Sequence, residues 1–514
     1  MEYVDKKFIS LFGKIDRKYK IVFLSTIIAG IFAHGIALFN KFSVFDDLTH
    51  MFTYGVTLPG GRWMLEILRK FDLLIYGSSN FSLPLFNGLV SIILIAISSC
   101  LMVKILDINN IVLCSLIGIL MVIFPTITSL FGFMFTSKPY MYGILFGVIG
   151  VYYVCCYKNL PKYLLGLFLL AGCVAVYQAY IPFCICLALL YLIKYSYNND
   201  NINEIIKKIL FVGFSFILFM LLYFALNSLI NKIFSVELVA YKGLENFGLC
   251  SFSEYINRIV IAYKDFIYPA FSLARAYPSS IRIMYFVVLL LIGILFCVMI
   301  IKVFNENRIK SLIITILFAF VPLAVNFVFV MVDMSFDITM LMEYSRIFVF
   351  ILLILMLDML KTEKKIIENI SIVLLVIISF VYVKFDNICY LRTEIVQQEA
   401  ISYFTTLVTR IKSVEGYKDE YPVSFVYTNK NAKDDLSLTK IEQFDYIYMD
   451  PYFSLKQYLN KYSWQRFVGI WCGYSPTIIE TDEYLEKDEI KSMNCYPDDG
   501  SIKIVDDIVF IKFN

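Results

Sequence analysis

Ile209-Leu-Phe-Val-Gly-Phe-Ser-Phe-Ile-Leu-Phe-Met-Leu-Leu-Tyr-Phe-Ala-Leu-Asn-Ser-Leu-Ile230 runs without one charged side chain. A stretch of that length crosses the roughly 30 Å hydrocarbon core of a bilayer as one helix. Only a helix or a closed barrel satisfies every backbone polar group in lipid. The pattern recurs near Ile21–Phe39, Leu85–Val103, Ile111–Ile127, Met141–Tyr157, Tyr163–Tyr180 and Pro182–Ile193. Beyond it come Met284–Ile301, Ser311–Met331, Ile347–Leu360 and Ile370–Val383. These runs predict an all-α polytopic membrane protein with about eleven transmembrane helices, each uninterrupted. Composition agrees: 60% of residues are hydrophobic and 17% charged, against roughly 25% charged in a soluble domain. The first twenty residues are basic and polar and lead into a full-length apolar run, which argues against a cleaved signal peptide.

Lysine and arginine orient the spans. With the N-terminus in the cytoplasm, the inward segments hold Lys6, Lys7, Lys14, Arg17, Lys18 and Lys20, then Lys104, Lys158 and Lys162. Further inward come Lys194, Lys207, Lys208, Lys302, Arg308, Lys310, Lys361, Lys364 and Lys365. The short outward turns carry only Lys138 and Arg346, so the bias predicts a cytoplasmic N-terminus and an odd number of spans in the plasma membrane.

The expected organisation is a cytoplasmic segment 1–20, a transmembrane domain 21–384 with a long outward loop 40–84, and an extracytoplasmic α/β domain 385–514. A second outward segment includes Ser251-Phe-Ser-Glu254, a capping box that starts a helix. Ile256, Ile259, Val260, Tyr263 and Ile267 recur on one of its faces, as in a helix lying in the interface plane. In the tail, Val396, Ala400, Phe404, Leu407 and Ile411 form a helical stripe. Val423–Tyr427 and Tyr446-Ile-Tyr448 read as strands, and Ser501–Val505 pairs with Ile508–Phe513 across Asp506-Asp507 as a hairpin. Cys250, Cys389, Cys472 and Cys495 lie in polar segments without a close CxxC pair, which argues against a zinc site. Cys472 and Cys495, in the exported tail, are expected to form a disulfide contributing roughly 3 kcal/mol.

The chemistry-bearing residues gather at the outward ends. Phe42-Ser-Val-Phe-Asp46-Asp47-Leu-Thr-His50 follows the first span. Mutual repulsion and desolvation raise the pKa of one of two adjacent carboxylates, which suits a general base or a divalent-cation site, while helix capping is the plainer reading. Gly60-Gly61-Arg62-Trp63 permits close backbone approach to an arginine able to grip a phosphate, or anchors the loop at the interface. Lys138, Tyr177-Gln178 and Glu343-Tyr344-Ser-Arg346 sit at the same ends, where charge is costly enough to be paired, snorkelled or functional. His34, inside the first span, reads as a packed polar residue, and two histidines make a His-based site improbable.

The aromatic-Asp46-Asp47 motif, Gly61-Arg62-Trp63, Tyr177-Gln178 and the closing Cys495-Tyr-Pro-Asp-Asp-Gly-Ser-Ile-Lys503 together resemble the Gtr-type bacterial membrane glucosyltransferases, which decorate O-antigen and other surface glycans. The resemblance covers most of the chain in layout, through short motifs, and the large tail departs from the short tails of the phage-type members. It implies a GT-C architecture and an inverting hexosyl transfer from a polyprenyl-phosphate sugar, usually undecaprenyl phosphate-glucose, to a surface polysaccharide. On this reading Asp46 and Asp47 are catalytic, and Arg62, Lys138 and Arg346 hold the donor phosphate. His50, Trp63, Tyr177, Gln178, Glu343 and Tyr344 would line the substrates. The expected partners are the lipid-borne donor, a glycan acceptor and membrane lipid, with no nucleic acid and no firmly implied cofactor. Alternatives are another GT-C transferase (a protein mannosyltransferase or glycan polymerase), a lipid or solute transporter, and a non-catalytic scaffold. Transporters favour midplane charges and inverted repeats, neither of which this sequence displays.

Overall fold

The protein was analysed as a computed structural model that describes residues 15–43, 45–77, 80–239, 251–267, 279–332, 338–360, 365–426, 464–480, 484 and 486–513. Among them, nine helical segments are long and apolar enough to cross a membrane: Arg17–Phe39, Pro84–Ile105, Ile111–Gly132, Met134–Cys156, Gln178–Asn198, Ile202–Phe234, Ser280–Glu306, Arg308–Val325 and Lys365–Lys412. The shorter apolar helices Leu160–Val174 and Phe348–Leu360 account for the two remaining runs. Every residue from Phe348 to Leu357 is buried and apolar, as in a helix that protein surrounds on all sides. The chain is a polytopic all-α membrane protein with a small sheet near its C-terminus.

The two ends of the spans are built differently. Helices starting at Arg17, Ile111, Leu160, Ile202 and Arg308 open on Asp16, Asn110, Asn159, Asn201 and Asn307, each of whose side chains accepts from backbone N–H groups of the first turn. Such caps satisfy donors that lipid cannot. Small residues let spans approach: Gly118 meets Val22 and Thr26 too closely for any side chain to replace it.

At the opposite ends the expectation of uninterrupted spans is corrected. The third breaks at Phe124-Pro125 and resumes as Pro125–Gly132. The fifth stops at Val174, and the sixth starts through a 3₁₀ turn at Gln178–Tyr180. The ninth falls into Arg308–Ala319, Val321–Val325 and Val328–Met331. Pro125, Pro182 and Pro322 each occupy the first turn of the resumed piece, since proline lacks the N–H that would continue the ladder. Side chains close the freed backbone: Thr126 donates to the Met340 carbonyl at 2.9 Å and Ser345 to that of Val325 at 2.6 Å.

The chain divides into two compact units. One holds 1–41 and 52–388; the other holds 42–51 together with 389–514. In the second unit Val396, Ala400, Phe404, Leu407 and Ile411 are all buried, as the stripe requires. Its sheet has the order β1-β3-β2, with β1 (Val423–Val426) parallel to β3 (Ile508–Lys512) and β2 (Ile502–Val505) antiparallel to it. Asp506 and Asp507 both adopt positive φ, 52° and 59°, the twist a two-residue hairpin demands. Val426, Ile490, Met493, Ile508 and Phe510 form the core beneath. The Tyr446–Tyr448 strand lies outside the described residues, as do Lys6, Lys7, Lys14, Cys250, Lys361 and Lys364. The expected Cys472–Cys495 disulfide is not formed: both are free thiols, and Cys472 closes its helix facing the Thr405 hydroxyl.

Candidate active site

Gly61 sets the geometry of the first loop. Its φ is +70°, and a side chain there would stand 2.9 Å from the Tyr223 hydroxyl and 3.3 Å from Gln178 Nε2. The backbone is therefore pressed against two spans. Gln178 Nε2 donates to the Gly60 carbonyl at 2.8 Å, and the Tyr223 hydroxyl donates to that of Gly61 at 3.1 Å. The turn delivers Arg62 over the ring of Tyr177, 5.5 Å from its centroid, and Tyr177 stacks on Tyr140 at 4.7 Å. Arg62, Tyr177 and Gln178, over a hundred positions apart in sequence, thus meet in one place. Trp63 is buried, with its ring centroid 6.0 Å from that of Phe168.

The helix Trp63–Tyr76 follows, opening with Glu66 paired to Arg69 through 2.8 and 2.6 Å bonds. That guanidinium holds the Glu66 carboxyl below the usual carboxylate range, against the opposing pull of burial. One turn on, Asp72 forms an ion pair with Lys138 and accepts from the Tyr54 hydroxyl. Burial first, and this bond second, push the Tyr54 phenol well above its ordinary value. The Lys138 ammonium also lies 5.5 and 5.7 Å from the ring centroids of Tyr76 and Phe86. Pair and rings wall a cavity of about 290 Å³. Asn80 also lines it and donates to the Phe135 carbonyl at 3.1 Å.

A second charged cluster lies around Arg346. This guanidinium pairs with Asp265 and, at 3.2 Å, with Glu343; all three are buried. Asn326, at a break of the ninth span, donates to Asp265 at 3.2 Å. Asp265 comes from the helix Phe252–Ile267, which the Ser251 hydroxyl caps by accepting from the Glu254 N–H at 3.3 Å. Arg258 and Asp265 are buried, while Phe252, Ile256, Val260 and Ile267 are exposed, as an interfacial helix requires. Tyr344 is core: its hydroxyl donates to the Met121 carbonyl at 2.7 Å and its ring stacks on Phe183. His34 is likewise packed, with Nε2 2.7 Å from the Val122 carbonyl oxygen.

Asp46, Asp47 and His50 belong to the second unit. The carboxylates occupy the first turn of the five-residue helix Phe45–Thr49; Asp47 is fully buried and Asp46 partly so. The helix is pinned on both sides: the Ser43 N–H donates to Gln397 at 2.9 Å, the Trp471 indole to the Ser43 hydroxyl at 3.1 Å, and Arg466 to the Thr49 carbonyl at 2.5 Å. Burial, and then the charge of Arg466, hold the His50 imidazole below its ordinary range. Among the described residues no group of three or more His, Cys, Asp or Glu could hold a metal.

Sequence reasoning missed Tyr54, Asp72, Asp265 and Asn326. Asp72 and Asp265 carry a usable signal: each is an acidic residue on an amphipathic helix of a long segment between spans, whose polar face must turn inward if its apolar stripe takes the lipid. Asn326 and Tyr54 carry none. The model of the family described as Glucosyl transferase GtrII matches residues 35–350, more than half of the chain. The matched segment contains every charged position expected at the site, from Asp46 to Arg346, and stops short of the tail. No curated protein and no solved structure matches the chain. A membrane-embedded helical chain with this match belongs to the GtrII glucosyl transferase family.

Proposed function

We propose that this glucosyltransferase takes glucose from a polyprenyl phosphate and transfers it to a surface glycan at the end of the bundle where the spans are broken, the outer face of the plasma membrane. The observation that carries the reading is the pair of ionic groups at that broken end, Lys138–Asp72 and Arg346–Asp265–Glu343, on residues within the family match. Charges so deep in an apolar bundle are costly to keep without a polar reaction to serve. A donor carried on a lipid presents its phosphate at that depth.

In the reaction, an acceptor hydroxyl oxygen attacks the anomeric carbon of glucose. The bond from that carbon to the phosphate oxygen breaks, polyprenyl phosphate leaves with the electron pair, and the hydroxyl proton passes to Asp46 or Asp47. Direct attack inverts the anomeric configuration. Arg62 takes the phosphate, because a guanidinium matches two of its oxygens and Gly60-Gly61 lets backbone approach. Lys138 and Arg346 already face carboxylates, Asp72 and the Asp265–Glu343 pair, which leaves Arg62 as the phosphate ligand. Asp46 and Asp47 enter on chain position and motif, as does a divalent cation there. Purified full-length protein incubated with polyprenyl-phosphate glucose and a glycan acceptor should release polyprenyl phosphate in step with glucosylation. Transfer from a nucleotide-glucose alone would overturn the donor assignment.

A further inference from the structure

We propose that the cavity beside Asp72 is a subsite for a neutral pyranose ring, either the glucosyl group of the donor or a sugar of the acceptor. The inference rests on the transfer reaction proposed above and gives that reaction a sugar-binding residue on the helix Trp63–Tyr76.

Size, charge and access point the same way. About 290 Å³ lies near the lower limit of small-molecule pockets. Half of its lining is aromatic or aliphatic (Tyr76, Phe81, Leu83, Phe86), and Asp72, Asn80, Asn87 and Lys138 supply the polar groups. Among the described residues, the donors to Asp72 are the Lys138 ammonium and the Tyr54 hydroxyl, and both reach Oδ2. Oδ1 remains to accept from a sugar hydroxyl, a charge-assisted bond of the stronger kind. A ring of Tyr76 or Phe86 suits the C–H face of a pyranose.

The electrostatics exclude the more obvious occupant. Lys138 is offset by Asp72 and flanked by two rings, so the recess is neutral as it stands. A phosphodiester would leave one negative charge in excess in a poorly solvated place, which is expensive. A polyol brings no charge. Lys138 is therefore the counter-ion that orients Asp72, and the phosphate lies elsewhere. The rim decides how the sugar arrives: Tyr76, Phe81 and Phe86 are 55, 41 and 42% exposed, an apolar mouth suited to lipid. Such a mouth favours a sugar that arrives on a lipid without barring a free glucoside.

The test titrates the full chain in nanodiscs with methyl glucopyranoside, with short-chain polyprenyl-phosphate glucose and with bare polyprenyl phosphate. Asp72→Asn should weaken methyl glucopyranoside about tenfold or more, and Tyr76→Ala about threefold to tenfold; polyprenyl-phosphate glucose should weaken alongside it where the subsite holds the donor's ring and stay unmoved where it holds the acceptor's. Bare polyprenyl phosphate should bind both variants as well as the wild type, or more tightly where Asp72 is neutralised. Tyr76 is half exposed, so its variant decides the question even if Asp72→Asn folds poorly. Competition between the two glucosides assigns the ring to the donor; simultaneous binding assigns it to the acceptor. Undetectable glucoside binding by the wild type, affinities unmoved by both substitutions, or equal losses for bare phosphate would each overturn the subsite. Wild-type turnover of the polyprenyl donor is scored separately. Turnover with unmoved glucoside affinities removes the subsite and spares the reaction. Asp72-dependent glucoside binding without such turnover does the reverse.

Discussion

Asparagine in place of Asp46 or Asp47 separates a base from a helix cap. It keeps the size and capping ability of aspartate and removes its basicity. Asp46→Asn or Asp47→Asn should lower turnover by at least about two orders of magnitude with little change in melting temperature. If these carboxylates only start the helix Phe45–Thr49, the Asn variants will turn over normally and only Ala variants will melt early. Gly61 makes a different demand. A residue with a Cβ at φ +70° is strained, and here it also meets Tyr223 and Gln178. Gly61→Ala should cost about 1–2 kcal/mol in thermal unfolding, and it should raise KM for the donor by displacing Arg62. Gly60→Ala, whose new methyl would stand 3.4 Å from Val56, should do neither.

Elements at the broken ends of the spans are amphipathic in an inverted sense. The helix Phe252–Ile267 exposes its apolar stripe and buries Arg258 and Asp265, because lipid rather than water covers its outer side. Its hold on the bundle includes the Asp265–Arg346 ion pair beside hydrogen bonds to the Val330 and Ala319 carbonyls. Arg346→Met should cost about 3–5 kcal/mol, since it removes the cation that two buried carboxylates share. Asp265→Asn should cost less, because Glu343 still faces the guanidinium and Asn326 keeps a partner for its amide. Unfolding of both variants in one detergent checks the order; an Arg346→Met protein as stable as the wild type would mean that the cluster contributes nothing to the fold. Lys487→Met, in the exposed Lys487–Asp506 pair, is the control and should leave stability unchanged.

At the scale of the whole molecule, alternation of the spans places the basic loops at one end and the broken helices at the other. Contacts at the basic end agree with that placement: Lys18 donates to the Ile108 carbonyl, Lys194 pairs with Asp358, Lys208 donates to the Cys155 carbonyl, and Lys310 pairs with Asp200. If the lysine bias sets orientation, this end is cytoplasmic. In a cysteine-free background, a membrane-impermeant thiol reagent on intact cells should then label Glu415→Cys and spare Lys158→Cys, two exposed positions. The reverse pattern would move the proposed reaction to the cytoplasmic face.

By itself the sequence determined the membrane class, the positions of the eleven apolar runs, the capped helix at Ser251, the hairpin after Gly500 and the glucosyltransferase family. All of these are local or compositional. Hydrophobic length, cap residues and turn chemistry act over a few residues, and they read the same whatever the rest of the chain does. Only the tertiary structure decided which charges are partnered. Whether Lys138 snorkels or pairs depends on Asp72, sixty-six positions earlier, and no periodicity links two residues so far apart. The same holds for Arg346 with Asp265, and for the meeting of Gly60-Gly61 with Gln178 and Tyr223. The breaks in the ninth span were hidden for a related reason. Its composition is apolar apart from a few small polar residues, Pro322 and Asn326, and the backbone leaves the helix there because Asn326 and Ser345 find partners on other segments. In lipid a helix may be interrupted wherever neighbours satisfy the freed groups, and those neighbours are assigned by packing, not by local sequence.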